Sequence, residues 1–206
     1  MTGDSLNKAE MFRNEVLKKI NKSVKEFAEG KLSAEQFQAI YARYTEHLSL
    51  ANMAVMSGQD GSIDSVTNDG TSTIALRNNL QGKAVGLMIY HNKSGTFVET
   101  LGNPDVPIDT IGPLFNEVSM QMESGKRVDP IIKKLSEKQW LVLAAGRFTT
   151  IATQFRHEPA RQQISELERL LIDFEDANKV ALQRAMPDTD NLAYPFVVFV
   201  EKRRKQ

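Results

Sequence analysis

The sequence predicts an α+β protein, with an N-terminal helical hairpin followed by a small antiparallel sheet with helices packed on it. Three observations carry this. Residues 4–56 repeat apolar side chains every three or four positions, the period of a helix face. Residues 84–155 instead hold strand-length apolar runs separated by turn residues. A further 3,4-spaced segment, 160–186, follows them, so helix and strand signals segregate as in a helix-backed antiparallel sheet.

In the first segment Phe12, Val16, Ile20, Val24 and Phe27 share one face. Gly30 suits the left-handed position just past a helix end. Ser33 with Gln36 three residues on is a capping box that starts a second helix. Its apolar positions are Phe37, Ile40, Tyr41, Tyr44, Leu48, Ala51 and Val55. Two such helices joined by a few residues form an antiparallel hairpin over 1–56. A hairpin cannot bury both its faces alone, so it must dock on the rest of the chain or on a second copy.

Residues 57–72 are rich in Gly, Asp and Ser and poor in large apolar groups. They are expected to form a flexible linker. Residues 73–206 are then the α+β domain. Its opening, 73–82, reads as a short helix. Residues 84–90 (Ala-Val-Gly-Leu-Met-Ile-Tyr) form a continuous apolar run, as in a strand buried on both faces. Asn92, Lys93, Ser94 and Gly95 supply a turn, and 96–101 a returning strand. Asn103, Pro104 and Pro107 break it. Asp109 is placed to cap a helix carrying Ile111, Leu114, Phe115, Val118 and Met122, which Gly125 ends. Asp129-Pro130 is expected to open a second short helix, because proline suits the first helical position. Residues 140–145 read as a strand, Gly146-Arg147 as a type II′ turn, and 148–155 as the strand that pairs back. The longest helix is expected over 160–186, with a seam of Ala160, Ile164, Leu167, Leu171, Phe174, Asn178, Ala181 and Ala185. Pro187 ends it, and 194–200 reads as a last strand.

Composition bounds the function. The 206 residues carry 26 Lys+Arg against 26 Asp+Glu, which argues against a dedicated nucleic-acid binder. Apolar residues at 41% and charged residues at 25% argue against wholesale disorder. A chain with no Cys has no disulfides, no thiolate nucleophile and no Cys-built zinc or iron–sulfur site. The start lacks the basic region and apolar stretch of a signal peptide. No apolar run approaches the ~20 residues of a membrane helix. The expected location is cytoplasmic, with no integral membrane segment.

No catalytic motif is present. Gly-x-Ser-x-Gly, Gly-x-Gly-x-x-Gly and the phosphate-loop pattern are all missing. Gly82-Lys83-Ala84 resembles only the tail of a phosphate loop, and it leads into a strand rather than a helix. His91 and His157 both fall at predicted strand ends. They would share a ligand or metal site only if the hairpins brought them together, and a loop or surface role is preferred. His47 is expected to be half-exposed on the second helix. Asp173, Glu175 and Asp176 read as a solvated helix face, and the 202–205 basic tail as a solubilising terminus. Trp140, the only Trp, is expected to be mostly buried against a helix. The sequence therefore implies no enzyme, no metal and no cofactor.

The long 160–186 seam is expected to cover the sheet, and also fits a helix that meets a partner helix, with Asn178 setting the register. Together with the hairpin it offers more apolar helix face than one small sheet requires. Self-association is the expected outcome. The candidate contact residues are Phe12, Val16, Ile20, Tyr41, Tyr44 and Leu48 in the hairpin and Leu167, Leu171 and Phe174 in the long helix. Some of these must instead cover the sheet, and the sequence does not distinguish which.

Residues Ala84-Val85-Gly86-Leu87-Met88-Ile89-Tyr90, the turn His91-Asn92-Lys93-Ser94-Gly95 and the strand Thr96-Phe97-Val98-Glu99-Thr100-Leu101-Gly102 resemble the first hairpin of the roadblock / dynein light chain family. Residues 140–155 with the long helix after them resemble its second half. The resemblance spans roughly 110 residues. It implies a non-enzymatic, self-pairing regulatory or scaffolding module that binds a protein partner such as a small GTPase or signalling protein. The chain departs from the family in its N-terminal hairpin, in an insert over 129–137 and in the strand expected after the last helix. These departures also allow a small-molecule sensor domain of the PAS or GAF type, the alternative reading, with its ligand between sheet and helices.

Overall fold

The computed structural model describes residues 2–57, 72–125, 128–187, 189 and 191–200, without the side chains of 2–6. The linker expected over 57–72, its two end residues apart, and the 202–205 basic tail lie outside these. Contacts divide the chain into two compact units, Met1–Gln81 and Gly82–Gln206.

The first unit holds α1 (Thr2–Ala28), α2 (Ala34–Ser57) and α3 (Thr73–Asn79). Gly30 ends α1 at φ 75°. Its N–H donates to Phe27 O and the Lys31 N–H to Glu26 O, the paired bonds that close a helix on a left-handed glycine. The predicted capping box forms. The Ser33 N–H donates to Gln36 Oε1 and the Gln36 N–H to Ser33 Oγ, at 3.0 and 3.2 Å. Ala9, Val16 and Ser23 of α1 are buried, as are Ile40, Ala51 and Ala54 of α2. The short side chains let the two helices approach closely. Gln36 Nε2 also donates to Arg77 O at 2.7 Å, and Arg77 pairs with Glu26 at 3.1 Å. These bonds join α3 to the hairpin.

The second unit holds β1 (Lys83–His91), β2 (Phe97–Gly102), α4 (Ile108–Glu123), β3 (Ile131–Ser136), β4 (Gln139–Ala145), β5 (Thr149–Arg156), α5 (Arg161–Ala177), α6 (Lys179–Leu182) and a 3-10 turn (Pro195–Val198). The sheet is antiparallel, in the order β2-β1-β5-β4-β3. Strand β5 lies at the centre, with Thr153 opposite both Leu87 and Val142. Side chains alternate across each strand, and each sheet face has its own helix. Leu87, Ile89, Val142, Ile151 and Phe155 pack with Leu167, Leu171 and Phe174 of α5. Leu141, Leu143 and Ala152 pack with Ile111, Leu114 and Val118 of α4.

Several expectations are corrected. Residues 131–136 form a strand, not the helix expected from Asp129-Pro130. Proline precedes a strand as readily as a helix, and here Ile131 pairs with Leu143 and Lys134 with Trp140. Asp109 does not cap α4, because Pro107 holds the N-cap position and Asp109 sits in the first turn. The 160–186 helix ends at Ala177, where Asn178 leaves helical geometry, and only the short α6 follows. Residues 194–200 are not a strand. Phe196 and Val200 are buried while Val197 and Val198 are exposed, a spacing of four that suits a helical turn.

The hairpin turn between β4 and β5 is also not the II′ type. Gly146 lacks the positive φ its first position needs, and the Gly146 N–H donates to Thr149 O at 2.8 Å, which makes Arg147 and Phe148 the central pair. The turn is shaped from outside by Glu175. Expected on a solvated face, this residue is only 6% exposed, while Asp173 and Asp176 are exposed. Its carboxylate accepts from the N–H groups of Arg147, Phe148 and Thr149 and from the Thr149 hydroxyl. A Cβ at position 146 would collide with this carboxylate, which explains the glycine.

Candidate interaction surface

The structure separates the predicted contact residues into three groups. Leu167, Leu171 and Phe174 lie in the core beneath the sheet, so they are not available as surface. Val16 is buried inside the hairpin. Phe12, Ile20, Tyr44 and Leu48 are half-buried, and Tyr41 is 42% exposed. Tyr44 turns toward α3, where its hydroxyl shares a 3.1 Å hydrogen bond with that of Thr73.

What remains is a ridge on the hairpin. In α1, Leu17, Ile20, Val24 and Phe27 follow a 3,4,3 spacing and form one stripe. Leu17, Val24 and Phe27 are 39%, 44% and 37% exposed. In α2 the matching stripe is Phe37, Tyr41 and Leu48. Phe27 stacks on Phe37 with ring centroids 4.5 Å apart, and Phe37 meets Tyr41 at 5.4 Å. These two contacts fuse the stripes into one aromatic and aliphatic surface. Of the nine candidates, Ile20, Tyr41 and Leu48 belong to it. Leu17, Val24, Phe27 and Phe37 complete it; helix spacing alone places the last three on apolar faces without marking them as surface.

Charge follows the same division. The 24 residues of α2 include only Glu35, Arg43 and Glu46 as permanently charged groups. Met53 and Met56 near its end are exposed. A helix facing water along its outer side ordinarily carries more charge. Its neighbour α1 has four lysines in residues 18–25 alone. His47 lies between Phe12 and Tyr44, 6.4 and 6.5 Å from their rings. Burial holds its imidazole below the usual histidine range, and the Arg43 cation acts the same way. Its Nε2 has no hydrogen-bond partner among the described residues.

The other sites weighed from sequence resolve differently. Register places Lys83 opposite Arg156 and His91 opposite Thr149, so His91 and His157 flank opposite ends of the β1·β5 pair. Eight strand residues separate those ends by roughly 26 Å, so the two imidazoles share no site. His91 is buried, with Nδ1 2.7 Å from Ser94 Oγ and Nε2 2.9 Å from Leu182 O. A carbonyl only accepts, so Nε2 carries the proton and the ring ties β1 to α6. Among the described residues, no group of three His, Cys, Asp or Glu is placed to hold a metal. None of their helices is long and apolar enough to cross a membrane. Between sheet and α5, where a sensor's ligand would sit, Phe155, Leu167, Phe174 and Phe196 fill the space.

Trp140 is partly buried, packed against the cluster that contains Leu167 and Phe174 of α5. Its ring packs on the core edge under the Lys134 ammonium, 5.7 Å from the ring centre. Asn178 is bonded within its own chain. Its amide donates to Phe174 O and Ala193 O and accepts from the Ala193 N–H, each at 2.8 Å. It fastens the C-terminal segment to the end of α5.

Compared with known proteins, the chain matches no family model and no curated protein.

Proposed function

We propose that this chain is a non-enzymatic regulatory or scaffolding module that self-associates through its N-terminal hairpin and uses its α+β unit to engage a protein partner in the cytoplasm. The observation that carries the reading is the ridge of Leu17, Val24, Phe27, Phe37 and Tyr41. It joins large apolar side chains that stay accessible in one chain. A contiguous apolar surface of this kind is a liability in water unless it is covered. Zero formal net charge gives little repulsion to keep copies apart. A two-fold pair covers the surface with its own copy, and α2, with three charged groups in 24 residues, brings little like-charge conflict to it.

The partner class comes from the roadblock / dynein light chain resemblance, which points to a small GTPase or signalling protein. The order of β1, β2, α4, then three strands and the long α5, supports that resemblance. Two of the departures noted from sequence also narrow: the 129–137 insert supplies edge strand β3, and the expected final strand is a 3-10 turn. The test is the double substitution Val24→Glu with Tyr41→Glu, with mass followed by light scattering. A folded variant of lower mass than the wild type supports pairing through the ridge. An unchanged mass above that of one chain removes the ridge from the reading.

A further inference from the structure

The first unit also holds a cleft that the pairing reading leaves unused. It has a volume of about 310 Å3 and is lined by residues of α1, α2 and α3. Three cations reach it: Lys19, Lys22 and Arg77. Glu26 is its one lining carboxylate, and it is committed to Arg77 at 3.1 Å. Lys19 is paired with Glu15 at 2.6 Å, outside the lining. Lys22 has no carboxylate within ion-pair distance among the described residues. Its i+4 neighbour Glu26 is committed to Arg77, and the other positions three and four residues away, Lys18, Lys19 and Lys25, are basic.

The cleft has two further properties. Tyr44 and Thr73 contribute hydroxyls that share a single hydrogen bond, so one of the two retains a free proton to donate. Ile40 and Ile74 form an apolar wall beside them, with Ile74 strongly exposed. A surplus of cations, a spare hydroxyl donor and an apolar wall match an anion carried on an apolar body. The volume is at the small end of ligand-sized pockets. We infer that this cleft binds a small organic phosphate, with the phosphate on Lys22 and Lys19 and the apolar part against Ile40 and Ile74. Lys22 supplies a charge-assisted hydrogen bond, and no carboxylate among the described residues is paired with it. The inference does not depend on self-association, because the cleft is built within the first unit and none of its lining residues belongs to the ridge.

The probe is phenyl phosphate, titrated into the full-length protein and followed by backbone amide shifts in two-dimensional NMR. Inorganic phosphate and benzyl alcohol serve as the anion-only and apolar-only comparisons. Saturable shifts centred on Lys22, Thr73 and Arg77 are expected, with both comparison compounds binding more weakly. Lys22→Met keeps the length of the side chain and should weaken phenyl phosphate about fivefold or more. Lys18→Met, one turn away and outside the lining, should leave it unchanged. Equal weakening by both substitutions, or inorganic phosphate binding as tightly as phenyl phosphate, means diffuse surface charge and overturns the site. Shifts centred elsewhere, or none at millimolar probe, overturn it as well. Light scattering on the same samples reports pairing separately, so either reading can fail alone.

Discussion

Glu175 of α5 and Thr149 of β5 are joined by two hydrogen bonds to one oxygen. Glu175 Oε1 accepts from the Thr149 N–H at 2.7 Å and from its hydroxyl at 2.8 Å. The same carboxylate takes the N–H groups of Arg147 and Phe148, so one side chain satisfies a whole turn from across the unit. Glu175→Gln replaces one acceptor oxygen with a donor that faces an N–H. It should cost about 1–3 kcal/mol in urea unfolding, and Glu175→Ala more. Gly146→Ala should destabilise the wild type but cost little in the Glu175→Ala background, because the clashing carboxylate is gone. Additive costs in that double-mutant cycle would show that the two positions are not coupled in this way.

Asn178 gives a second prediction. Its side chain makes both bonds of a backbone-like bridge to Ala193. Asn178→Ala should cost about 2–3 kcal/mol, since the Ala193 groups lose their partner while Phe196 stays inserted in the core. Hydrogen exchange should quicken across 193–200 and leave β5 protected. Uniform quickening would instead mean that the bridge stabilises the whole unit rather than the segment.

The His47 environment makes the protein sensitive to mild acid. Burial places its folded-state pKa below the ordinary value of 6.5, so the unfolded chain takes up a proton first as pH falls. The stability is therefore complete above about pH 6.5 and declines as pH drops below it. Thermal unfolding at pH 7.5 and 5.5 should show a smaller loss for His47→Gln than for the wild type. Equal losses would remove His47 as the source.

The hairpin was legible in the sequence almost to the residue. Its signals are local: Gly30 for the left-handed exit and Ser33 with Gln36 for the capping box. Strands β1, β2, β4 and β5 were legible because each is a short apolar run between turn residues. Strand β3 was not. Ile131-Ile132-Lys133-Lys134 has no alternation of its own, and only pairing with β4 makes it a strand. Glu175 and Asn178 were misread for a related reason. Each sits where helix periodicity predicts one environment, and a segment distant in sequence supplies another. For the candidate surface, spacing identified the apolar stripes of α1 and α2. It did not reveal which stripe faces inward, because Val16 and Leu17 are adjacent in sequence and point to opposite fates.

Self-association through the hairpin is tested most directly by the mass of the unmodified protein in solution. Light scattering after size exclusion, over a range of micromolar concentrations, gives that mass without a label or a substitution. Pairing predicts a value near twice 23.1 kDa that falls toward 23.1 kDa on dilution. A constant 23.1 kDa up to the highest concentration would contradict the account and leave the ridge of Val24, Phe27 and Tyr41 without a second copy to cover it.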